Sequence, residues 1–447
     1  MDILILAGGL GSRFFANSSK ITVNFWGISV LDMISYNALK TKNKVYVVLR
    51  KDHVIPLLSG VKGLLQKNEY GTGAAVQSYV EQVQDYNSIL VLPGDVPLIE
   101  TEVMNLFQQE AVGEDIILGV MKTPEGDEKY GRIIIKDGNV VKIVEYKDHP
   151  EKTEYVNTGV IYLSKAMLPL VQTIQKQPKG EVYLTEIVEI AVSKGFKVKK
   201  LELNHEDALG FNTITEFHHV LNIAQQKWRK KALKSSAIFF DIDSVYLSFD
   251  TEFELGATVE PYCRFLPNVK IGPRGLIKAF TSVENCYING TVGPFANIKS
   301  GRIEKYSEIG AFVEVNRSEI GKYTKIKHLA YIGDANIGEN VNVGAGCVIC
   351  NYDGKKKHKT KIQSKAFIGA NSTLIAPLQV EKNAFLAAGG IYNTDVPEDG
   401  FAIARTKQIN KKRNDIENGS TCDPAYDDLS DFNSNDSTTN DRFENDD

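Results

Sequence analysis

Apolar residues follow two rhythms along this chain. In the first half they form short runs at residues 3–6 (ILIL), 45–49 (VYVVL) and 88–92 (SILVL). Runs of that length, bounded by glycine, proline or polar residues, read as buried strands. Residues 102–109 read as a helix, and helical composition returns from Thr213 to about 234. Strands alternating with helices predict a parallel α/β sheet over residues 1–214. Residues 215–235 contain Lys227-Trp228-Arg229-Lys230-Lys231, a basic turn suited to a helix C-terminus, and are read as a helical linker.

From Phe253 the rhythm changes. Apolar–glycine pairs recur at Leu255-Gly256, Ile271-Gly272, Val292-Gly293, Ile309-Gly310, Ile320-Gly321, Ile332-Gly333, Ile337-Gly338, Val343-Gly344 and Ile368-Gly369. Several steps lie at or near multiples of six. This degenerate hexapeptide repeat, set at residues 236–410, predicts a parallel β-helix. One aliphatic residue per short strand points inward and a small residue turns the corner. An end and a face of such a coil need cover, so self-association is expected. Beyond Arg413 there are eleven acidic residues and one basic residue, Arg442. Residues 411–447 are read as a disordered tail, because they cannot bury enough apolar surface to order themselves.

Composition narrows the class. The 43% hydrophobic and 24% charged content are those of a globular protein. A net charge of −4 gives no electrostatic case for nucleic-acid or membrane binding. No apolar run approaches the roughly 20 residues of a membrane span, and no basic region precedes Ile3 as a signal peptide requires. Five cysteines in 447 residues make no disulfide framework, which points to a reducing cytoplasm. Cys347-x-x-Cys350 has no second pair or nearby His at zinc spacing and is assigned to packing.

Ligands of parallel α/β sheets sit at the carboxyl ends of strands, and the unusual residues of the first half fall there. Leu6-Ala7-Gly8-Gly9 leads into a glycine-rich turn, followed by Arg13 and Lys20. Backbone N–H groups approach an anion closely in such a turn, and the two cations add a fork and a point charge. A nucleotide phosphate is the expected ligand. A tight loop is the competing reading, since the spacing fits neither common nucleotide-binding glycine motif. Gln66 precedes Tyr70-Gly71-Thr72-Gly73, where a helix start meets a base or phosphate, or where Thr72 acts only as a cap. Asp95, between Pro93 and Pro97, either holds Mg²⁺ or shapes a turn. Gly131, Glu145 and Asn157 border later runs, and the last two suit sugar hydroxyls. Residues 179–186 are read as beginning a helix. Asn212 offers a second, neutral oxygen to the Mg²⁺.

In this order the motifs LAGGLGSR…K, GTGAA, GDVPL, YGRI, IVEYKD, VNTG, GEVYLTE and GFN resemble one half of a known bifunctional family. That family is the N-acetylglucosamine-1-phosphate uridylyltransferase / glucosamine-1-phosphate N-acetyltransferase. The resemblance covers nearly all of residues 1–220 and implies a UTP-binding sugar nucleotidyltransferase. It places Arg13 and Lys20 in catalysis and Mg²⁺ on Asp95 and Asn212. It places UTP or the nucleotide sugar on Leu6, Ala7, Gly8, Gly9, Lys20, Gln66, Gly71, Thr72, Gly131, Glu145, Asn157 and Asn212. Leu10 stands where the family has Lys, and Pro93 where it has Tyr.

Within the repeat, His328 is embedded among apolar positions, with Tyr331, Asn342, Asn351 and Tyr352 as polar neighbours. A histidine titrates near neutral pH and can take a proton from an attacking amine. A structural histidine is the plainer alternative. Lys355-Lys356-Lys357 breaks the six-residue rhythm, so this loop should protrude. The segments KHL-x-Y-x-GDA, GAG and CNYDG resemble the acetyltransferase half of the same family. By that resemblance His328 is the general base for glucosamine 1-phosphate attacking acetyl-CoA. Lys299, Asn316, Tyr331 and Asn342 take the sugar-phosphate positions. Ala345, Asn351, Tyr352, Ala370, Ala388 and Arg405 take the acetyl-CoA positions. Lys299 replaces a family Arg and Asn316 a family Lys, with Arg317 beside it. A lost charge-assisted hydrogen bond is worth roughly 1.5–3 kcal/mol.

The resemblance implies a Rossmann-like α/β nucleotidyltransferase domain followed by a left-handed parallel β-helix. It further implies a cytoplasmic homotrimer making UDP-N-acetylglucosamine for bacterial cell-envelope polysaccharides. Two alternatives follow. One is an enzyme with uridylyl activity alone, its β-helix kept for trimerisation. The other is a non-catalytic regulatory subunit, which should lack the metal and phosphate residues.

Overall fold

The computed structural model describes residues 1–9, 19–51, 55–66, 70–124, 130–146, 151–177, 180–406, 408 and 410. Leu10, Arg13 and the acidic tail at 411–447 lie outside the described residues.

Nine strands of the described residues form one sheet: β1 (Asp2–Leu6), β2 (Val45–Arg50), β3 (Val61–Gln66), β4 (Ile89–Pro93), β5 (Ile116–Lys122), β6 (Arg132–Lys136), β7 (Asn139–Val144), β8 (Tyr155–Leu163) and β9 (Val198–Glu202). The main path runs β3-β2-β1-β4-β8-β5-β9. A wholly parallel sheet was the expectation, and the structure corrects it. β8 runs antiparallel to both β4 and β5, and β6 and β7 form a hairpin attached to β8. The hairpin turns on Asp137-Gly138, both at positive φ (50° and 77°), the two-residue geometry that matches strand twist.

Successive strand residues face opposite sides. Ile3, Ile5, Val45 and Val47 enter one core with α1 (Val30–Lys40) and α3 (Thr101–Glu110). Leu4, Tyr46 and Val48 enter the other with α2 (Thr72–Gln82), α4 (Leu168–Val171) and α5 (Glu186–Ser193). The helix expected to begin at 179 starts only at Glu186. Residues ahead of it pair with the start of α2 instead: Val182 N–H donates to the Tyr70 carbonyl at 2.8 Å, and Gly73 N–H to the Val182 carbonyl at 2.8 Å. The N-cap of α2 is Gly71 rather than Thr72.

α6 (Ile214–Leu233) begins with a reciprocal capping box between Thr213 and Glu216 and buries Phe217, Val220 and Trp228. The chain then winds into three parallel sheets that share one interior. Down one of them, Ile271, Ile288, Ile303, Ile320, Ile337, Ile362 and Val380 pair in register. All seven are buried. This is the left-handed parallel β-helix that the hexapeptide rhythm and the resemblance led one to expect. Leu255 is an exception among the nine pairs, because it is 72% exposed while Phe253 takes the inward place. The register passes from Ile337 directly to Ile362, so the loop at 351–359 stands out from the coil. Cys347 is buried and Cys350 exposed, so the pair faces opposite ways.

Candidate active sites

The carboxyl ends of β3, β2, β1 and β4 and the opening residues of the antiparallel β8 line one edge, and a cleft of about 360 Å³ opens along it. In sheet order the edge presents Gln66, Arg50, Gly8 and Gly9, Asp95, and Asn157. Gly8 lies so close to Gln66 that a Cβ would sit 2.4 Å from its Oε1. Gln66 Nε2 in turn donates to the Gly71 carbonyl at 3.2 Å. Gly71 has φ +108°, and a Cβ there would meet the Val182 carbonyl oxygen at 2.3 Å. At Gly71 the positive φ and the backbone contact leave room for glycine alone, whereas at Gly8 a side chain would have to displace the end of Gln66. Thr72 Oγ1 accepts from Leu184 N–H at 3.0 Å, which ties the start of α2 to the opposite wall.

At the β1/β4 end, Lys20 reaches into the cleft. Its Nζ forms an ion pair with Asp95 and donates to Asn212 Oδ1 at 3.1 Å. Asn212 is fixed by the α6 cap, its N–H donating to Glu216 at 2.6 Å. The structure thus converges a carboxylate oxygen and an amide oxygen on one cationic nitrogen. Leu6 lines the cleft and Ala7 is buried behind it. Asn157 lines its far end, with its N–H on the Gly131 carbonyl at 2.9 Å. Gly131 and Glu145 are not among the described residues that line the cleft, and Glu145 is exposed past the end of β7. Arg13 lies outside the described residues.

In the β-helix, Ile326, Val343, Ile368 and Leu386 are register partners. His328, Ala345, Ala370 and Ala388 each stand two residues further on, so they form one column up a corner. Gly346 N–H donates to the His328 carbonyl at 3.4 Å, and Gly389 N–H to the Ala370 carbonyl at 2.8 Å. His328 and Arg405 are exposed. Asn342 pairs with Lys325 in the neighbouring strand, three residues before His328.

The adjoining sheet carries Lys299, Asn316 and Gly333 in register. Lys299 pairs with Glu284 at 3.0 Å. Arg317 donates to both oxygens of Asp334 at 2.7 and 2.8 Å, and to Asn316 Oδ1 at 2.7 Å. Asn351 also donates to Asp334. The Arg317 hydrogen bond holds the Asp334 carboxyl below its usual range, and Asp334 raises Arg317 in return. Arg317 is therefore engaged by Asp334 and does not stand in as a loose cation for the lysine the family has at 316. Tyr331 opens the strand that Gly333 closes, and Tyr352 is 59% exposed on the protruding loop. Within one chain, His328 lies at the corner before this sheet, whereas Lys299 and Asn316 close its strands.

Residues 3–186 match a family model described as a MobA-like NTP transferase domain. The chain is 35% identical over 422 residues to the bifunctional protein GlmU of Wolbachia pipientis wMel, covering 92% of this chain and 98% of that protein. It is 33% identical over 428 residues to the GlmU of Bartonella quintana (strain Toulouse), with 92% and 95% covered. For the GlmU of Thermodesulfovibrio yellowstonii the figures are 34% over 444 residues, with 92% and 98% covered.

This chain belongs to the GlmU family. It is a bifunctional enzyme of that family, with a nucleotidyltransferase half and an acetyltransferase half. GlmU-type motifs located most of the cleft, but not all of it. Arg50 ends β2 inside the cleft with its guanidinium 5.2 Å from the Tyr70 ring centre, and Glu181 and Thr185 line the opposite wall. The strand-end rule that pointed to Asp95 applies equally to Arg50. Glu181 and Thr185 lie in the GEVYLTE segment but were not named as site residues, because pairing with the α2 entry, not local pattern, brings them to the cleft.

Proposed function

We propose that this chain makes UDP-N-acetylglucosamine in two steps at two separate sites. In the first, His328 takes a proton from the 2-amino group of glucosamine 1-phosphate as the nitrogen attacks the acetyl-CoA carbonyl. The carbon–sulfur bond breaks, and coenzyme A leaves as a thiol once its sulfur is reprotonated. The alanine column above His328 leaves a smooth strip for the thioester arm. In the second, a phosphate oxygen of N-acetylglucosamine 1-phosphate attacks the α-phosphorus of UTP in line, and pyrophosphate leaves. Gly8 and Gly9 offer backbone donors to phosphate, Gln66 and Gly71 hold the nucleoside end, and Lys20 neutralises charge on the phosphates. Arg13 joins Lys20 in that role.

Mg²⁺ is the cofactor we assign to Asp95 and Asn212. Both present hard oxygens to the position that Lys20 Nζ occupies, so the donor set suits a small divalent cation completed by water and phosphate oxygens. Among the described residues no group of three or more His, Cys, Asp or Glu competes for it. When bound, the ion supplies charge neutralisation at the transferring phosphate.

We also propose a cytoplasmic homotrimer feeding cell-envelope polysaccharide synthesis. Tyr262, Phe280, Phe295 and Phe312 stack face to face at 5.0–5.2 Å along one corner of the β-helix, and all are exposed. A continuous apolar ridge of this kind favours cover by another copy. Separation of His328 from Lys299 and Asn316 in one chain favours an acetyl-transfer site completed by a neighbour. No helix of the described residues is long and apolar enough to cross a membrane.

The observation that carries the reading is the meeting of Lys20, Asp95 and Asn212 from three distant chain segments. The test is a panel of nucleoside triphosphates and sugar phosphates, with and without acetyl-CoA. Pyrophosphate release from UTP with N-acetylglucosamine 1-phosphate, lost in Lys20→Ala, is expected. Preference for another nucleotide would overturn the substrate assignment. Coenzyme A release that disappears in His328→Ala is the matching test of the acetyl step.

A further inference from the structure

The segment that carries Lys20 is fastened to the other domain. Lys20–Thr22 forms a single 3-10 turn, and the chain then closes a tight hairpin. Asn24 bridges Ser29, Phe25 N–H donates to the Ile28 carbonyl at 2.6 Å, and Gly27 N–H donates to Asn24 Oδ1 at 2.7 Å. The hairpin tip is Trp26, held at φ +60°. Its ring leaves the α/β domain altogether. Nε1 donates to the Phe265 carbonyl at 3.1 Å, the ring stacks on Tyr246 at 5.1 Å, and the Arg264 guanidinium lies 5.4 Å above it. At Gly27, held at φ +91°, a Cβ would sit 2.5 Å from the Pro267 ring, so the hairpin backbone lies directly on the side chains of Leu266 and Pro267.

The same hairpin is braced from behind. Phe25 is fully buried, edge-on to Phe217 and Trp228 of α6. Phe217 packs on Phe211, the residue before Asn212. Lys20 and its partner Asn212 therefore hang on one aromatic cluster, and Trp26 extends that cluster onto the first coil of the β-helix. A lysine has a flexible four-carbon stem, so its aim depends on how firmly its backbone is held. Geometry at a transfer site must hold to about 0.5 Å, and segments outside helices and strands hold it less well unless they are anchored.

We propose that Trp26 is a positioning residue for nucleotidyl transfer. Its docking onto Phe265 and Tyr246 makes the first β-helix coil a working part of the nucleotide site by aiming Lys20 at the phosphates. The proposal rests on the assignment of Lys20 to that site. It ties the two halves of the enzyme together on the uridylyl side and leaves the acetyl side independent.

The test uses the full chain. Trp26→Ala is expected to lower kcat for pyrophosphate release about tenfold or more, a modest share of what a 1 Å misplacement can cost. The KM for UTP should change less than kcat. Trp26→Phe keeps a ring to stack on Tyr246 and should recover most of the rate. Coenzyme A release should match the unaltered enzyme in both variants. If Trp26→Ala does not fold, Tyr246→Ala removes the stacking partner from the β-helix side and must lower the same kcat. An unchanged kcat in the folded variant, or a change in KM alone, overturns the proposal. Lys20→Ala separates the two levels: if it retains full uridylyl transfer, the assignment of Lys20 fails first. If Lys20→Ala is inactive and Trp26→Ala is not impaired, only the positioning role fails.

Discussion

Lys20 Nζ donates to Asn212 Oδ1 at 3.1 Å although 192 residues separate them in the chain. The same nitrogen is paired with Asp95, 75 residues away. Adjacency of β1 and β4 in the sheet explains the second contact, and the capped start of α6 explains the first. Asp95→Asn keeps an oxygen but removes the charge. It is expected to lower uridylyl transfer by about 10²–10³-fold, the cost of losing a preorganised charged contact at a transfer site. Mg²⁺ binding followed by calorimetry should weaken in parallel, while coenzyme A release stays unchanged.

Sequence alone located this cleft because its chemistry follows strand ends, and strand ends are visible as the close of apolar runs. Asp95 and Gly8 were found that way. The antiparallel β8 was not, because an apolar run says nothing of its direction. The β6–β7 hairpin, by contrast, had a local signal in Asp137-Gly138. In the β-helix the inward aliphatics were legible from their six-residue rhythm, yet Leu255 misled because it follows its strand's inward residue, Phe253. The engagement of Arg317 with Asp334 joins two successive coils, a contact that no local pattern records.

That engagement makes a prediction about the acetyl-transfer half. Arg317 already serves Asp334 and Asn316, so if position 316 faces the sugar phosphate as proposed, a lysine there would add a cation that this chain does not supply. Asn316→Lys should lower the KM for glucosamine 1-phosphate by about tenfold, the yield of one charge-assisted hydrogen bond. The gain is made to ground and transition states alike, so kcat should change little. Initial rates of coenzyme A release over a range of sugar phosphate decide it. An unchanged KM would show that position 316 does not face the phosphate.

Gly71 makes a prediction about stability and binding together. Its φ of +108° and the Val182 carbonyl 2.3 Å from any Cβ leave no strain-free place for a side chain. Gly71→Ala is expected to cost about 1–3 kcal/mol in the folded state. The urea midpoint should fall at constant slope. Because Gly71 also anchors Gln66 through its carbonyl, the KM for UTP should rise in the same variant.

The protruding loop of the β-helix carries its own titration. His358 Nε2 lies 2.6 Å from Asp353 Oδ2, and Asp353 Oδ1 accepts from the Lys355 and Lys356 amides at 2.7 Å each. The His358 hydrogen bond, then those of the two amides, hold the Asp353 carboxyl at about 2. An unfolded aspartate titrates near ~3.9. The folded value is the lower one, so the loop's contribution is complete above roughly pH 4 and is lost as pH falls through about 2. His358→Ala removes the largest cause, and the Asp353 midpoint should move up toward the ordinary aspartate value. Carbon NMR of the Asp353 carboxyl between pH 6 and about 2 follows the change directly. A midpoint that stays at about 2 in His358→Ala would assign the depression to the two amides instead.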